Sequence, residues 1–267
     1  MVCAFFLGLE GIPTRCLPRP KFNKDFMNKL DSNPYLLCFK NCVVDFKNKI
    51  SRKGQQDDYI SKCTNIDYIK YDYLKNKNII DDIKKFFTEL FPNEYLKDYM
   101  WEHLASALVG TNDNQTFNIY TGSGRNGKSK LVDLMSKALG EYKGTVPITL
   151  ITQKRNTIGS TSSEIVQLMG TRYAVMQEPS KGDKINEGIM KEITGGDPIQ
   201  GRALFKDTVT FIPQFKLVVC TNTLFDVESN DDGTWRRIRV CDFMSKFIDN
   251  PYNDSLFPKE EFKSVAN

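Results

Sequence analysis

The residues GSGRNGKS at 122–129 constrain what this chain can fold into more than any other stretch. Gly122, Gly127, Lys128 and Ser129 satisfy the spacing G-x-x-x-x-G-K-[ST], which requires a strand before it and a helix after it. Glycines allow a tight turn in which successive N–H groups face a triphosphate. Ser123, Gly124, Arg125 and Asn126 complete that backbone cradle. The Lys128 ammonium reaches the β- and γ-phosphates of ATP, and the Ser129 hydroxyl ligates Mg²⁺.

The flanking sequence agrees with the motif. Phe117 and Ile119 alternate with polar residues, which predicts a short strand entering the loop. Leu131, Met135 and Ala138 fall at helical spacing beyond it, with Val132 and Leu139 beside them, and Gly140 stands where a helix stop is expected. A helix starting at the loop aims its positive end at the phosphates.

Composition excludes several classes. A chain of 267 residues with 40% hydrophobic content can build a sizeable core. A net charge of +4 is too small to argue for nucleic acid by itself. The seven cysteines contain no CxxC pair and the chain has one histidine, so neither a zinc site nor a disulfide framework is expected. Free thiols point to a reducing, intracellular compartment. No apolar run reaches membrane length. The start, MVCAFFLGLEG, meets Glu10 without a basic flank and reads as a buried strand or helix piece, not a signal peptide.

Residues 1–77 are punctuated by prolines and read as loops and short strands. Within them, 35–46 reads as a hairpin around Lys40 and Asn41. A helical connector at 78–110 follows. Ile79, Ile83, Phe86, Phe87 and Leu90 share one face, Pro92 intervenes, and Leu96, Met100, Leu104 and Leu108 form a second helix, with Trp101 read as plain core. From 111 to 245, strands alternate with helices, which predicts an α/β P-loop core with a mainly parallel sheet. Residues 246–267 read as the start of a further, C-terminal region.

Downstream of the loop, the strand-like run at 172–177 ends at Glu178 and Pro179. An acidic residue there suits a role in polarising water and, partly through water, in holding Mg²⁺. Ile185, Ile189 and Ile193 predict a helix closed by Gly195 and Gly196. Residues 197–211 read as a hairpin, with strand-like runs at 203–205 and 208–211 around a turn at Lys206 and Asp207. Lys206 at such a tip, with Arg202 near it, suits a phosphate contact; an ordinary solvated turn lysine is the alternative. The run FKLVVCTN at 215–222 predicts a core strand ending at Asn222, an amide able to orient the attacking water. Arg236 and Arg237 follow an acidic turn and suit stabilisation of transferring charge, from within the subunit or from a neighbour; a salt bridge to Asp231 or Asp232 is the alternative.

Together these segments resemble the superfamily 3 helicases of the AAA+ class, and within them the poxvirus-type primase–helicases of large DNA viruses. GSGRNGKS matches that family's P-loop and AVMQEP resembles its second acidic motif. KEITGGDPIQGRALFK resembles a segment that ends in a DNA-gripping hairpin. FKLVVCTN resembles the third motif, with Asn222 as sensor, and GTWRRIRV the arginine-finger region. The stretch NPYLLCFKNCVVDF with DDYI at 57–60 resembles the region preceding the motor. Gln177 departs from the family's frequent pair of adjacent carboxylates, which leaves Glu178 to serve alone. Relatives are longer, so the chain is expected to be a fragment.

The resemblance implies an ATP-dependent helicase or translocase in viral DNA replication, in the host cytoplasm. It would work as a homo-oligomeric ring, with six the expected number, bind single-stranded or forked DNA, and meet other replication proteins. Catalytic roles fall to Lys128, Glu178, Asn222, Arg236 and Arg237, and DNA binding to Arg202 and Lys206. A packaging or loading ATPase and an inactive ring-assembly module are the rival expectations.

Overall fold

A computed structural model describes residues 24–153, 161–177, 179, 183–224, 226–227 and 231–248. The opening MVCAFFLGLEG, Glu178 and most of the C-terminal region lie outside the described residues.

The chain begins with a short helix, α1 (Lys24–Lys29), and a three-stranded antiparallel sheet of β1 (Leu36–Cys38), β2 (Val43–Asp45) and β3 (Ile50–Arg52). β1 and β2 are the hairpin expected around Lys40 and Asn41. Two helices follow, α2 (Lys77–Leu90) and α3 (Glu94–Ser106), the second capped by Asn93 Oδ1 accepting from Leu96 N at 3.1 Å. Phe87 and Leu90 are buried, and Phe87 stacks on Trp101 with ring centroids 3.8 Å apart. Trp101 is 37% exposed, not plain core, and Ile79 is 63% exposed, because only the C-terminal half of α2 packs inward.

The centre is a five-stranded sheet in the order β10-β4-β9-β6-β5, every neighbouring pair parallel. Its strands are β4 (Phe117–Thr121), β5 (Lys143–Val146), β6 (Tyr173–Met176), β9 (Lys216–Cys220) and β10 (Ile238–Asp242). Between them lie α4 (Lys128–Leu139), α5 (Thr149–Thr152), α6 (Ser163–Val166), α7 (Glu187–Thr194) and α8 (Asp232–Trp235). An antiparallel hairpin of β7 (Ile199–Arg202) and β8 (Thr208–Phe211) stands apart from the central sheet. The α/β architecture with a mainly parallel sheet is the expected one.

Helices on both faces require strands that are apolar on both faces. On β9, Val218 packs with α2, α3 and α4 residues such as Leu90, Met100 and Leu131, while Leu217 and Val219 pack on the other face with Ile189 and Ile193 of α7. β4 is likewise buried throughout its first four residues instead of alternating with solvent. Its Asn118 is fully buried and accepts from Tyr99 Oη at 2.5 Å, which satisfies the polar group inside the core.

The N-terminal sheet is fastened to this core by main-chain carbonyls. Arg172 is 2% exposed and donates to Pro34 O at 2.7 Å, Asn33 O at 3.1 Å and Leu36 O at 3.0 Å. Gln214 Nε2 donates to Asp31 O at 3.0 Å and Ser32 O at 3.1 Å. Gly110 must lack a side chain here, since a Cβ would lie 1.4 Å from Arg172 Nη1. Burial lowers the Arg172 pKa to about 10. Arg172 precedes β6 and Gln214 precedes β9, so the latch grips the entrances of the two strands that lead to the acidic and amide positions.

Candidate nucleotide site and arginine cluster

The loop at 122–127 joins β4 to α4 and adopts left-handed backbone at Gly122, Gly124, Arg125 and Gly127, with φ of 149, 91, 50 and 83°. Gly127 is the cap residue of α4, so the helix begins at Lys128 with its first N–H groups directed at the loop. A Cβ on Gly127 would meet Leu90 Cδ1 at 2.4 Å, which ties the loop floor to α2. The segment after β10 closes the other side: Phe243 N donates to Thr121 O at 2.9 Å and Phe247 N to Arg125 O at 2.7 Å. Ser123, Arg125 and Ser129 are exposed, while Asn126 and Lys128 are buried.

Lys128 Nζ donates to Gly122 O at 2.6 Å and to Asn222 Oδ1 at 3.1 Å. Asn222 lies just past the end of β9, the strand next to β4, so parallel pairing brings the loop and this amide to the same sheet edge. β6, on the far side of β9, points its C-terminal end, with Gln177 following, toward that edge. Glu178 itself lies outside the described residues. The Cys220 thiol, at the end of β9, is pushed up to about 11 by burial, against the opposing pull of Lys128.

Arg236 and Arg237 sit at the opposite edge. Arg237 O accepts from Phe117 N, the first residue of β4, at 2.7 Å, whereas the loop follows the last residue. A strand of that length puts about 13 Å between the two ends. Arg236 Nη2 and Arg237 Nη2 both donate to Gln115 Oε1, at 2.6 and 2.9 Å, and Gln115 Nε2 donates to Gly195 O at 2.7 Å. Arg237 also donates to Gly233 O at 2.5 Å and is buried, whereas Arg236 is exposed. Desolvation, and then the neighbouring Arg236 charge, hold the Arg237 guanidinium below its ordinary pKa. Asp231 pairs with Lys191 of α7. Gln115, at φ 50°, organises both arginines, and nothing in the spacing of its loop, TNDNQTF, announced it.

The hairpin leaves the arginine edge, because β8 leads through 212–215 into the start of β9. Its first strand begins at Ile199, four residues before the expected run at 203–205, and the tip, 203–207, lies outside either strand. Lys206 and Arg202 are both exposed and joined by Arg202 Nε donating to Lys206 O at 3.2 Å. Phe205, at φ 58°, is 94% exposed and Leu204 62% exposed at the same tip. Gly201 seats the hairpin on α6, where a Cβ would come within 2.9 Å of Val166 Cγ2. The parallel sheet therefore brings Lys128 and Asn222 together and keeps Arg202, Lys206, Arg236 and Arg237 away from them.

Among the described residues the cysteines are free, no group of three His, Cys, Asp or Glu could hold a metal, and no helix is long and apolar enough to cross a membrane.

Two family models match the chain, "D5 N terminal like" over 24–92 and a family of unknown function over 120–237. A protein of Acanthamoeba polyphaga mimivirus named "Putative helicase L207/L206" is 40% identical over 90% of this chain. One of Invertebrate iridescent virus 3 named "Putative helicase 121R" is 33% identical over 85% of it. The chain belongs to this helicase–primase family of large DNA viruses. The resemblance carried by its motifs is thereby borne out. The chain spans 25% and 24% of the lengths of those two family members. Among solved structures, the C-terminal region of NrS-1 aligns with 74% of this chain and 43% of its own, at 15% identity and a TM-score of 0.46.

Proposed function

We propose that this chain carries the ATPase motor of a superfamily 3 DNA helicase that acts in viral DNA replication in the host cytoplasm. The observation that carries the reading is the convergence of Lys128, the Gly127-capped helix and Asn222 on one sheet edge. The Lys128 ammonium is buried against the loop, bonded to the Gly122 carbonyl and the Asn222 side-chain oxygen, where it can meet an anion. The loop amides, Lys128 and the exposed Ser129 hydroxyl fit the phosphates and Mg²⁺ of ATP. Bound at Ser129, Mg²⁺ would offset phosphate charge.

Hydrolysis needs a water aligned with the γ-phosphorus and a base for its proton. Asn222 orients that water, and Glu178 accepts the proton as the oxygen–phosphorus bond forms and the bond to ADP breaks. Lys128 follows the developing charge. Arg236, exposed at the far edge, completes the site of the next subunit in a ring of six. Lys206 and Arg202 hold a DNA strand by its phosphates, with other replication proteins as further partners. β9 links the two activities covalently, with Asn222 at one end and the hairpin at the other.

ATP turnover measured with and without single-stranded DNA, beside strand displacement from a fork, tests the reading. DNA-stimulated turnover with displacement supports it. Turnover without displacement marks a packaging or loading motor, and no turnover marks an assembly module.

A further inference from the structure

Asn126 has no role in the chemistry above beyond its place in the loop backbone, yet its side chain is unusual. It is 3% exposed, and among the described residues no group accepts a hydrogen bond from its Nδ2. That amide lies against Gly122: a Cβ built on Gly122 would stand 2.1 Å from Asn126 Nδ2 and 2.9 Å from Phe243 O. The space a side chain at 122 would fill is thus taken by the Asn126 amide, a second reason, beside φ 149°, for glycine there.

The Gly122 carbonyl is the same group that accepts from Lys128 Nζ at 2.6 Å. A triphosphate that draws Lys128 outward takes this donor away and leaves a half-buried carbonyl unmatched. A buried donor without an acceptor and a carbonyl about to lose its donor therefore meet at one glycine.

We propose that Asn126 is a positioning residue that relieves Lys128: as Lys128 turns to the phosphates, Asn126 Nδ2 takes over Gly122 O. The exchange makes as many hydrogen bonds as it breaks. It also removes the unpaired donor, whose desolvation is unfavourable only while Lys128 faces inward. Asn126 accordingly biases the loop lysine toward the nucleotide without touching it. The inference rests on the nucleotide-binding reading of the loop.

The test is Asn126→Ala, read by affinity for Mg²⁺ and a β,γ-imido analogue of ATP and by Tm without nucleotide. The expected result has opposite signs. Affinity falls about tenfold, the equivalent of one hydrogen bond. The nucleotide-free Tm is unchanged or higher, because an unsatisfied donor has been removed. A residue that merely supports the loop would lower Tm, so a lowered Tm overturns the proposal, as does affinity within twofold of wild type. If the alanine variant does not fold, Asn126→Leu, which fills the space without a donor, takes its place in both measurements. A wild-type protein that does not bind the analogue overturns the nucleotide reading and this inference with it; wild-type binding with an indifferent Asn126 variant overturns this inference alone.

Discussion

The amine of Lys128 and the side-chain oxygen of Asn222 are 3.1 Å apart, a direct hydrogen bond between the start of α4 and the end of β9. The two residues reach each other because β4 and β9 are parallel neighbours in register, with Tyr120 opposite Cys220. An ion that draws Lys128 away therefore breaks this bond to the Asn222 side chain at the same moment.

Asn222→Ala should for that reason slow ATP turnover far more than it weakens nucleotide binding. A drop of roughly 10²-fold in kcat is expected, the usual cost of one polar group in such a site, with Kd for the imido analogue within a few-fold of wild type. Steady-state kinetics and a binding titration on the same preparation decide it. An equal loss in both would make Asn222 a binding residue.

The two adjacent arginines should separate cleanly. Arg237 is buried and donates to Gly233 O and Gln115 Oε1, so Arg237→Ala is expected to destabilise the fold by roughly 1–3 kcal/mol. Arg236 is exposed, and Arg236→Ala should stay within about 0.5 kcal/mol of wild type in denaturant melts. It should instead reduce turnover in assembled protein, where a finger arginine is worth roughly 10³–10⁵ in rate. Mixing the Arg236→Ala and Lys128→Ala variants should restore part of the turnover, because some interfaces then pair an intact loop with an intact arginine. Absence of recovery in verified mixed assemblies would remove the role between subunits.

Lys206→Ala addresses the hairpin tip. If Lys206 holds a phosphate, the slope of log affinity for single-stranded DNA against log salt shrinks by roughly 0.7, and the ratio of DNA-stimulated to basal turnover falls. A salt titration of binding with the variant beside wild type reads this directly. An unchanged slope together with an unchanged stimulation ratio returns Lys206 to an ordinary turn lysine.

The single histidine makes a pH prediction possible. His103 is buried, bonded at Nε2 to Tyr120 Oη at 3.0 Å, and burial lowers its pKa to about 3. Its folded pKa lies below the unfolded value near 6.5, so between pH 6.5 and 3 the unfolded chain binds a proton that the native one refuses. The stability it contributes is full above pH 6.5 and is lost as pH falls toward 3. At pH 5.5 the loss attributable to His103 should be about 1.4 kcal/mol. The stabilities of wild type and His103→Gln from urea melts should diverge as pH falls from 7.5, by about 1.4 kcal/mol at pH 5.5; parallel curves would contradict the buried, neutral assignment.

Much of this was legible in the chain because glycines and apolar runs declare local geometry. GSGRNGKS required a strand, a turn and a helix, and β4, the loop and α4 follow in that order. FKLVVCTN required a buried strand, which β9 is. What remained hidden depends on contacts between distant segments. Arg172 and Gln214 act through the carbonyls of 31–36, and carbonyls carry no sequence signal. Gln115 gathers both arginines only because β4 and β10 run side by side. The sequence pattern puts the hairpin strand four residues late because Ala203, Leu204 and Phe205 look strand-like, although Phe205 stands in solvent. Ile79 and Ile83 fit the helical period, yet no described partner covers that end of α2.

The most direct test of the central claim is Mg²⁺–ATP binding and turnover by Lys128→Ala, beside its nucleotide-free melting curve. Removing the ammonium should take away a few kcal/mol of triphosphate stabilisation, bring hydrolysis to background and leave a cooperative fold. Wild-type turnover by a folded Lys128→Ala protein would contradict the assignment of this loop as the ATP site.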